Sequence, residues 1–264
     1  MPYELILRLS VFLTLFAVLA AVEALAPSRQ RTSPRAGRWV TNLAMVTLDT
    51  LALRALAIVL PFLAIGAAYD AWSQGWGLFN ILNWPVLVEI PLAILILDLA
   101  IWTQHLITHK VPLFWRFHRV HHADRDMDVT TAVRFHPVEI LASMGLKIGL
   151  VYLIGPQAIA VLLFELILNG TALFSHANLS LPRWMDRGLR LLIVTPDMHR
   201  IHHSIRRAEH DSNYGFALSL WDRIFGTYVA EPAGNVDDMI VGLEWQDNKP
   251  AQLGWSLLLP FRNR

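Results

Sequence analysis

Eight histidines in three short boxes carry the chemistry of this chain. They are His105-Leu-Ile-Thr-His109, then His118-Arg-Val-His121-His122, then His199-Arg-Ile-His202-His203. The first is an HxxxH pair and the other two are identical HxxHH boxes. Residues three and four apart lie on one face of a helix, so each box aims two or three imidazoles the same way. Imidazole is the commonest metal ligand near neutral pH. Eight imidazoles exceed what one mononuclear site needs, so the boxes predict a two-metal centre. The chain has no cysteine, which limits the ligands to nitrogen and oxygen, and an all-imidazole set suits Fe, Cu, Zn or Ni. Structural zinc closes with four ligands; a larger histidine set points to open, redox-active metals.

Three histidines lie outside the boxes. His176, in Leu173-Phe-Ser-His-Ala-Asn178, falls where an apolar run ends, at the depth of the boxes; it reads as a ninth ligand, with a hydrogen-bonded helix-end histidine as the alternative. His136, in Phe135-His-Pro-Val-Glu139, reads as a hydrogen-bond partner behind the ligands, with ligation as the alternative. His210 sits among Arg, Glu and Asp and reads as solvated. Asp98 lies seven residues before His105, two turns back on the same face. A carboxylate inside an apolar helix is costly, and this one could accept the outer N–H of a ligating imidazole; a helix-packing contact is the alternative.

The elements that must position these groups are membrane helices. Hydrophobic residues are 55% of the 264 and charged residues 16%, with mean hydropathy +0.42, far from a soluble mixture. About 20 apolar residues cross a bilayer as a helix. Residues 5–26, 43–68 and 85–102 are such runs, and residues 138–174 form a longer one split by Gly155-Pro156, a helix-breaking pair that predicts a helical hairpin. Residues 1–26 lack the basic start and small-residue cut of a signal peptide and read as a retained span. Arginine and lysine follow the first span, the third span and the hairpin, whereas residues 69–84 carry neither and read as an outer interfacial loop. By the positive-inside rule the N-terminus is outside and all three boxes are cytoplasmic. Inside the hairpin, Lys147 and Glu165 are equidistant from residue 156 and fall at one depth, about 13 Å from the turn. They are expected to pair across it, the alternative being that Lys147 reaches a headgroup while Glu165 lines a pocket.

The expected fold is therefore all-α: a multi-span membrane helix bundle with a cytoplasmic helical cap holding a histidine-rich dimetal site. Residues 1–84 are N-terminal spans, 85–230 the metal-bearing domain, and 231–264 a loop-rich tail whose apolar segment 253–261 lies against protein or membrane. Net charge is +1, and nothing suggests a nucleic-acid partner.

Over residues 98–228 the chain resembles the fatty acid hydroxylase superfamily, the sterol desaturase-like membrane di-iron proteins. The resemblance rests on the three boxes, on Trp115-Arg-Phe before the second, and on the segment from Asp126 to Glu139. It extends to His176-Ala-Asn178, to Asp211-Ser-Asn-Tyr-Gly215, and to the segment from Leu220 to Tyr228. It implies two Fe ions, O2 as oxidant, an external electron-donor protein, and hydroxylation or desaturation of a lipid or sterol-like substrate. Metal ligands would be His105, His109, His118, His121, His122, His176, His199, His202 and His203, with no catalytic residue beyond them. His136, Asp98, Asn178 and Asp211 would stand behind the ligands. Two other readings compete: a non-enzymatic metal-handling protein or transporter, which would want its ionisable groups at mid-bilayer, and a zinc hydrolase, which would want a carboxylate base inside a box as in HExxH.

Overall fold

In a bilayer each backbone N–H and C=O must be satisfied within its own segment, and the long apolar runs of this chain accordingly become helices. The structure, a computed structural model, describes residues 3–60, 63–234 and 239–262. Its elements in chain order are α1 (Glu4–Leu25), α2 (Arg35–Val59), α3 (Ala64–Gln74), α4 (Leu78–Leu82), α5 (Val86–Lys110), α6 (Pro112–His122), α7 (Pro137–Ile154), α8 (Ala158–His176), α9 (Arg183–Leu189), α10 (Pro196–His202), α11 (Arg207–His210), α12 (Leu220–Ile224) and α13 (Leu253–Leu258). Among the described residues there is no strand; two isolated bridges, Ile193 with Leu218 and Ser204 with Val241, tie loops together. Five helices among the described residues are long and apolar enough to cross a membrane. The all-helical membrane-bundle expectation holds.

Five helix ends meet at one end of the bundle. The C-terminal end of α1 brings Glu23, whose Oε2 accepts from the backbone N–H of Val129 (3.0 Å) and Asn178 (3.2 Å). The start of α2 brings Arg38, which clamps Asp124 through Nε (2.6 Å) and Nη2 (2.9 Å) and Asp128 through Nη1 (2.8 Å). The C-terminal ends of α5 and α8 carry the HxxxH box and His176, and the start of α7 carries Glu139. The short helices α6 and α10 to α12 form a cap over this end, and α13 packs beneath it. Trp255 and Leu259 share a core cluster with Met45 of α2 and Val120 of α6, and Arg119 donates to the carbonyls of Leu259 (2.6 Å) and Arg262 (2.8 Å). The apolar end of the tail thus lies against protein.

At the other end, the α7–α8 turn docks on the segment between α3 and α4. Gly77 (φ +96°) and Gly155 (φ +62°) abut so closely that a Cβ on Gly77 would fall 2.3 Å from the Gly155 nitrogen, and one on Gly155 would fall 2.5 Å from the Trp76 carbonyl oxygen. Only glycine supplies both the left-handed backbone and the missing Cβ. This corrects the reading of residues 69–84 as a plain loop. Residues 69–74 belong to α3, whose buried alanines Ala64, Ala67 and Ala68 pack against Val151 and Val161 of the hairpin, and residues 78–82 form α4. Small residues at helical spacing let the helices approach closely, and the Tyr152 hydroxyl of α7 donates to Asp70 of α3 (2.7 Å). The second apolar run also divides differently: α2 begins at Arg35 and ends at Val59, and α3 starts anew at Ala64. Residues 61 and 62 of that run lie outside the described residues.

Lys147 Nζ lies 2.7 Å from Glu165 Oε1, so the hairpin pair forms. A third member joins it: Arg8 of α1 contacts Glu165 and also pairs with Glu4 (3.0 Å). The same Lys147 and Glu165 line a cavity, so the two roles weighed for Glu165 are both filled.

Candidate metal centre

The boxes sit on helices because Pro112 and Pro196 each start one at a position where their missing N–H costs nothing, and Thr195 caps α10 by accepting from the Met198 N–H. Aimed inward from α5, α6, α8 and α10, nine imidazoles form two adjacent groups. Ligand-capable atoms of His105, His109, His118, His122 and His202 lie within 4.8 Å of one another, and so do those of His121, His176, His199 and His203. The groups touch: the rings of His122 and His203 stack with centroids 4.4 Å apart, and His199 stacks on His202 at 5.1 Å. Each HxxHH box is split between the groups. His118 and His122 face one while His121 faces the other, and His202 parts from His199 and His203.

Hydrogen bonds behind the rings fix which nitrogen carries the lone pair. His105 Nδ1 donates to the Tyr214 carbonyl (2.7 Å), His202 Nδ1 to the Ser212 carbonyl (2.7 Å), His176 Nδ1 to the Ala172 carbonyl (2.7 Å), and His118 Nδ1 to Glu139 Oε1 (2.7 Å). A carbonyl or carboxylate can only accept, so each of these Nε2 atoms presents a lone pair inward. His105 Nε2 and His118 Nε2 are nevertheless 3.1 Å apart. Two lone pairs at that distance repel unless a cation lies between them. His176 Nε2 turns its one lone pair toward two neighbours, His121 Nε2 at 3.1 Å and His199 Nε2 at 3.0 Å, whose buried Nδ1 atoms have no hydrogen-bond partner. Buried Nε2 atoms of His109, His122, His202 and His203 have no hydrogen-bond partner. Such spacing suits neighbouring donors on one ion with metal–nitrogen bonds of about 2.1 Å. The residues present fit a metal in each group.

Electrostatics agree. Burial, reinforced by neighbouring imidazoles, pushes His121, His122, His199 and His203 well below the ordinary imidazole range. Burial pushes His202 down too, against the raising effect of its Ser212 bond. These rings are neutral near pH 7, the form that binds metals.

The groups anticipated behind the ligands divide. Asp211 Oδ1 lies 3.8 Å from His109 Nδ1 and Oδ2 pairs with Lys110 at 3.0 Å, beside the site. Asp98 does not reach an imidazole: its Oδ2 accepts from the Trp221 indole (2.8 Å), while His105 takes a backbone carbonyl instead. His136 caps α7, Nδ1 accepting from the Val138 N–H (3.2 Å) and Nε2 meeting the Leu257 carbonyl (3.3 Å). Asn178 exchanges hydrogen bonds with the Arg29 backbone (3.0 and 2.9 Å); it anchors the α1–α2 connection. His210 is half-buried rather than solvated, its ring stacked on Trp115 at 5.5 Å.

Sequence reasoning passed over Glu139, the carboxylate that holds His118. It stands 21 residues away, and no spacing rule links a helix start to a ring on another helix. It also passed over Asp222, which accepts from Trp102 Nε1 (3.0 Å) and from the Tyr214 (2.8 Å) and Gly215 (2.8 Å) N–H groups, setting the loop whose carbonyl holds His105. Asp124 is the third. Burial would raise its carboxyl, but Arg38, Arg134 and Asn42 hold it below the ordinary range, and this buried network pins α2 to the end of α6.

A multi-span helical bundle with paired imidazole groups at one end defines the class. Residues 90–227 match the fatty acid hydroxylase family, more than half of the chain, and the protein belongs to that family. It is 28% identical over 233 residues to the ornithine lipid hydroxylase OlsE of Rhizobium tropici, covering 87% of this chain and 69% of the relative. It is 34% identical over 140 residues to the alkylglycerol monooxygenase of Homo sapiens, covering 53% of this chain and 30% of that protein. Cholesterol 25-hydroxylase of Homo sapiens is 27% identical over 144 residues, 54% of this chain and 52% of its own length. No solved structure matches the chain.

Proposed function

We propose that the protein is an integral-membrane, O2-dependent di-iron hydroxylase of a lipid substrate. The observation that carries this reading is the convergence of nine buried imidazoles in two touching groups, with the inward lone pairs of His105 and His118 held 3.1 Å apart. The relatives' names, a lipid hydroxylase, a monooxygenase and a sterol hydroxylase, favour hydroxylation over desaturation and over metal transport. The proposed ligands are His105, His109, His118, His122 and His202 for one ion and His121, His176, His199 and His203 for the other. When bound, two irons would supply O2 activation with electrons from an external donor protein, chemistry that no side chain performs.

The chain's own residues do the rest. Glu139 and the carbonyls of Tyr214, Ser212 and Ala172 lock ring tautomers and orientation, which raises ligand basicity. A cavity of about 400 Å3 runs among α1, α2, α5, α7 and α8 and has His105 and His118 in its wall. Its apolar walls, including Phe12, Leu53, Ile101 and Leu168, would admit a lipid from the bilayer and exclude water from the imidazoles. Residues 85–230 would form the catalytic unit, with residues 1–84 completing the cavity wall and residues 231–264 bracing the cap. The boxes would face the cytoplasm and the N-terminus the outside, in keeping with the distribution of arginine and lysine.

Metal analysis of protein purified without added metal tests the reading directly. About two irons per chain, with lipid-dependent O2 uptake on supply of reductant, is the expected outcome. Stoichiometric zinc with no O2 uptake would overturn it.

A further inference from the structure

The cavity that reaches the imidazoles is not an apolar tube. Two cations and three carboxylates line it: Arg8 and Lys147, with Glu165, Glu139 and Asp49. Four of the five are accounted for. Arg8 and Lys147 both engage Glu165, and Glu139 holds His118. Asp49 is the exception. It is 5% exposed, its buried Oδ1 has no hydrogen-bond partner, and no ion pair reaches its carboxylate among the described residues. It stands on α2, which packs on α7, the helix that carries Glu139. Glu139 Oε2 and, across the cavity on α5, Gln104 Oε1 are buried acceptors without partners as well.

A carboxylate in a membrane helix with no partner is expensive, and such groups face a cavity and a ligand. A hydrocarbon offers these three acceptors nothing. An ammonium group offers three N–H donors and the missing positive charge. We infer that Asp49 binds the protonated amine of an amphiphilic substrate, whose apolar part follows the cavity wall, with Glu139 Oε2 and Gln104 Oε1 as further acceptors lining the same cavity. The inference rests on the cavity being the substrate site proposed above. It adds that the amine end of the substrate lies at the imidazole end of the cavity, so that the bond attacked is near the polar group and not at the tip of a chain.

Binding tests this without turnover. Dodecylamine, dodecanol and dodecanoate share a chain and differ only in the head, and each can be titrated calorimetrically into the purified full chain in dodecyl maltoside at pH 7.5. The wild-type protein is expected to bind dodecylamine at least about tenfold more tightly than either of the others, a difference of about 1.4 kcal/mol. Asp49→Asn should abolish that preference and Asp49→Glu should retain it; titration of each probe into protein-free dodecyl maltoside micelles gives its own partition coefficient, and the affinities are compared after that correction. Equal affinity for the three probes in the wild type, which needs no variant to fold, overturns the inference. A preference that survives Asp49→Asn overturns it too. Because no metal, reductant or turnover enters the measurement, the two readings fail separately. Iron and O2 uptake without amine preference would sink only the amine site, whereas amine preference in a protein that binds no iron would sink only the oxygenase.

Discussion

Glu139 and His121 make the sharpest contrast among single residues. Glu139 touches no proposed ion, yet it holds the Nδ1–H of His118 at 2.7 Å. Glu139→Gln keeps the shape and removes the charge that makes His118 a better donor. Loss of such a partner lowers metal affinity by about 10- to 100-fold, and competition against a chelator of known affinity should show a shift of that size. An unchanged affinity would mean that Glu139 does not tune His118 as a ligand. His121, by contrast, is one of four imidazoles in its group, and His121→Ala should lower iron from about two to about one per chain by elemental analysis. His210 stacks on Trp115 outside both groups, so His210→Ala should leave the metal content at the parent value.

Between elements, the hairpin is held by charge and by the absence of side chains. Glu165 has two partners, Lys147 and Arg8, and all three are mostly buried. Glu165→Leu strands Lys147, while Arg8 keeps Glu4, and should cost about 3 kcal/mol, the low end of the range for breaking a buried pair. Lys147→Met leaves Arg8 to neutralise Glu165 and should cost distinctly less. Thermal unfolding of the two variants in detergent gives the order, and the reverse order would show that Arg8 carries no share. Gly155→Ala tests the tip: its Cβ would meet the Trp76 carbonyl at 2.5 Å from a left-handed backbone, so the variant should unfold at lower temperature than a control Gly145→Ala, where nothing lies within 4 Å.

Across the whole molecule, the imidazole groups and the hairpin tip occupy opposite ends of the bundle. Reporter fusions at Gly75, beside the tip, and at Arg207, in the cap, should therefore signal from opposite sides of the membrane, with Arg207 cytoplasmic. Signals from one side would overturn the positive-inside reading. The cap end is fastened by Arg38, which joins α2 to Asp124 and Asp128 with 4% or less of each side chain exposed. Arg38→Leu removes the ion pair of two buried carboxylates, which keep only hydrogen bonds such as those from Asn42 and Trp39, and should cost about 3 kcal/mol; it should also lower iron retention as α2 loosens from the end of α6. Full iron occupancy in a destabilised Arg38→Leu protein would show that the cap holds its geometry without α2.

The sequence by itself determined the long apolar helices apart from the division of α2 from α3, the hairpin break at Gly155-Pro156, the depth match of Lys147 with Glu165, and the identity of the nine clustered imidazoles. Periodicity, apolar run length and repeated spacing are properties of neighbours along the chain, and they survive in one dimension. It could not determine how the boxes are shared. A single HxxHH box feeds two groups because adjacent residues on a helix point about 100° apart, and which direction meets which partner depends on where α5, α8 and α10 stand. Nor could it assign the hydrogen bonds behind the rings. Asp98, two turns from His105 on its own helix, gave way to the Tyr214 carbonyl because Asp222 folds that loop against the ring. Glu139 reaches His118, and Asp49 is left facing a cavity without a partner, only because α2, α6 and α7 pack side by side. Contacts between helices depend on distances that no spacing along the chain encodes, and those contacts were decided by the tertiary structure alone.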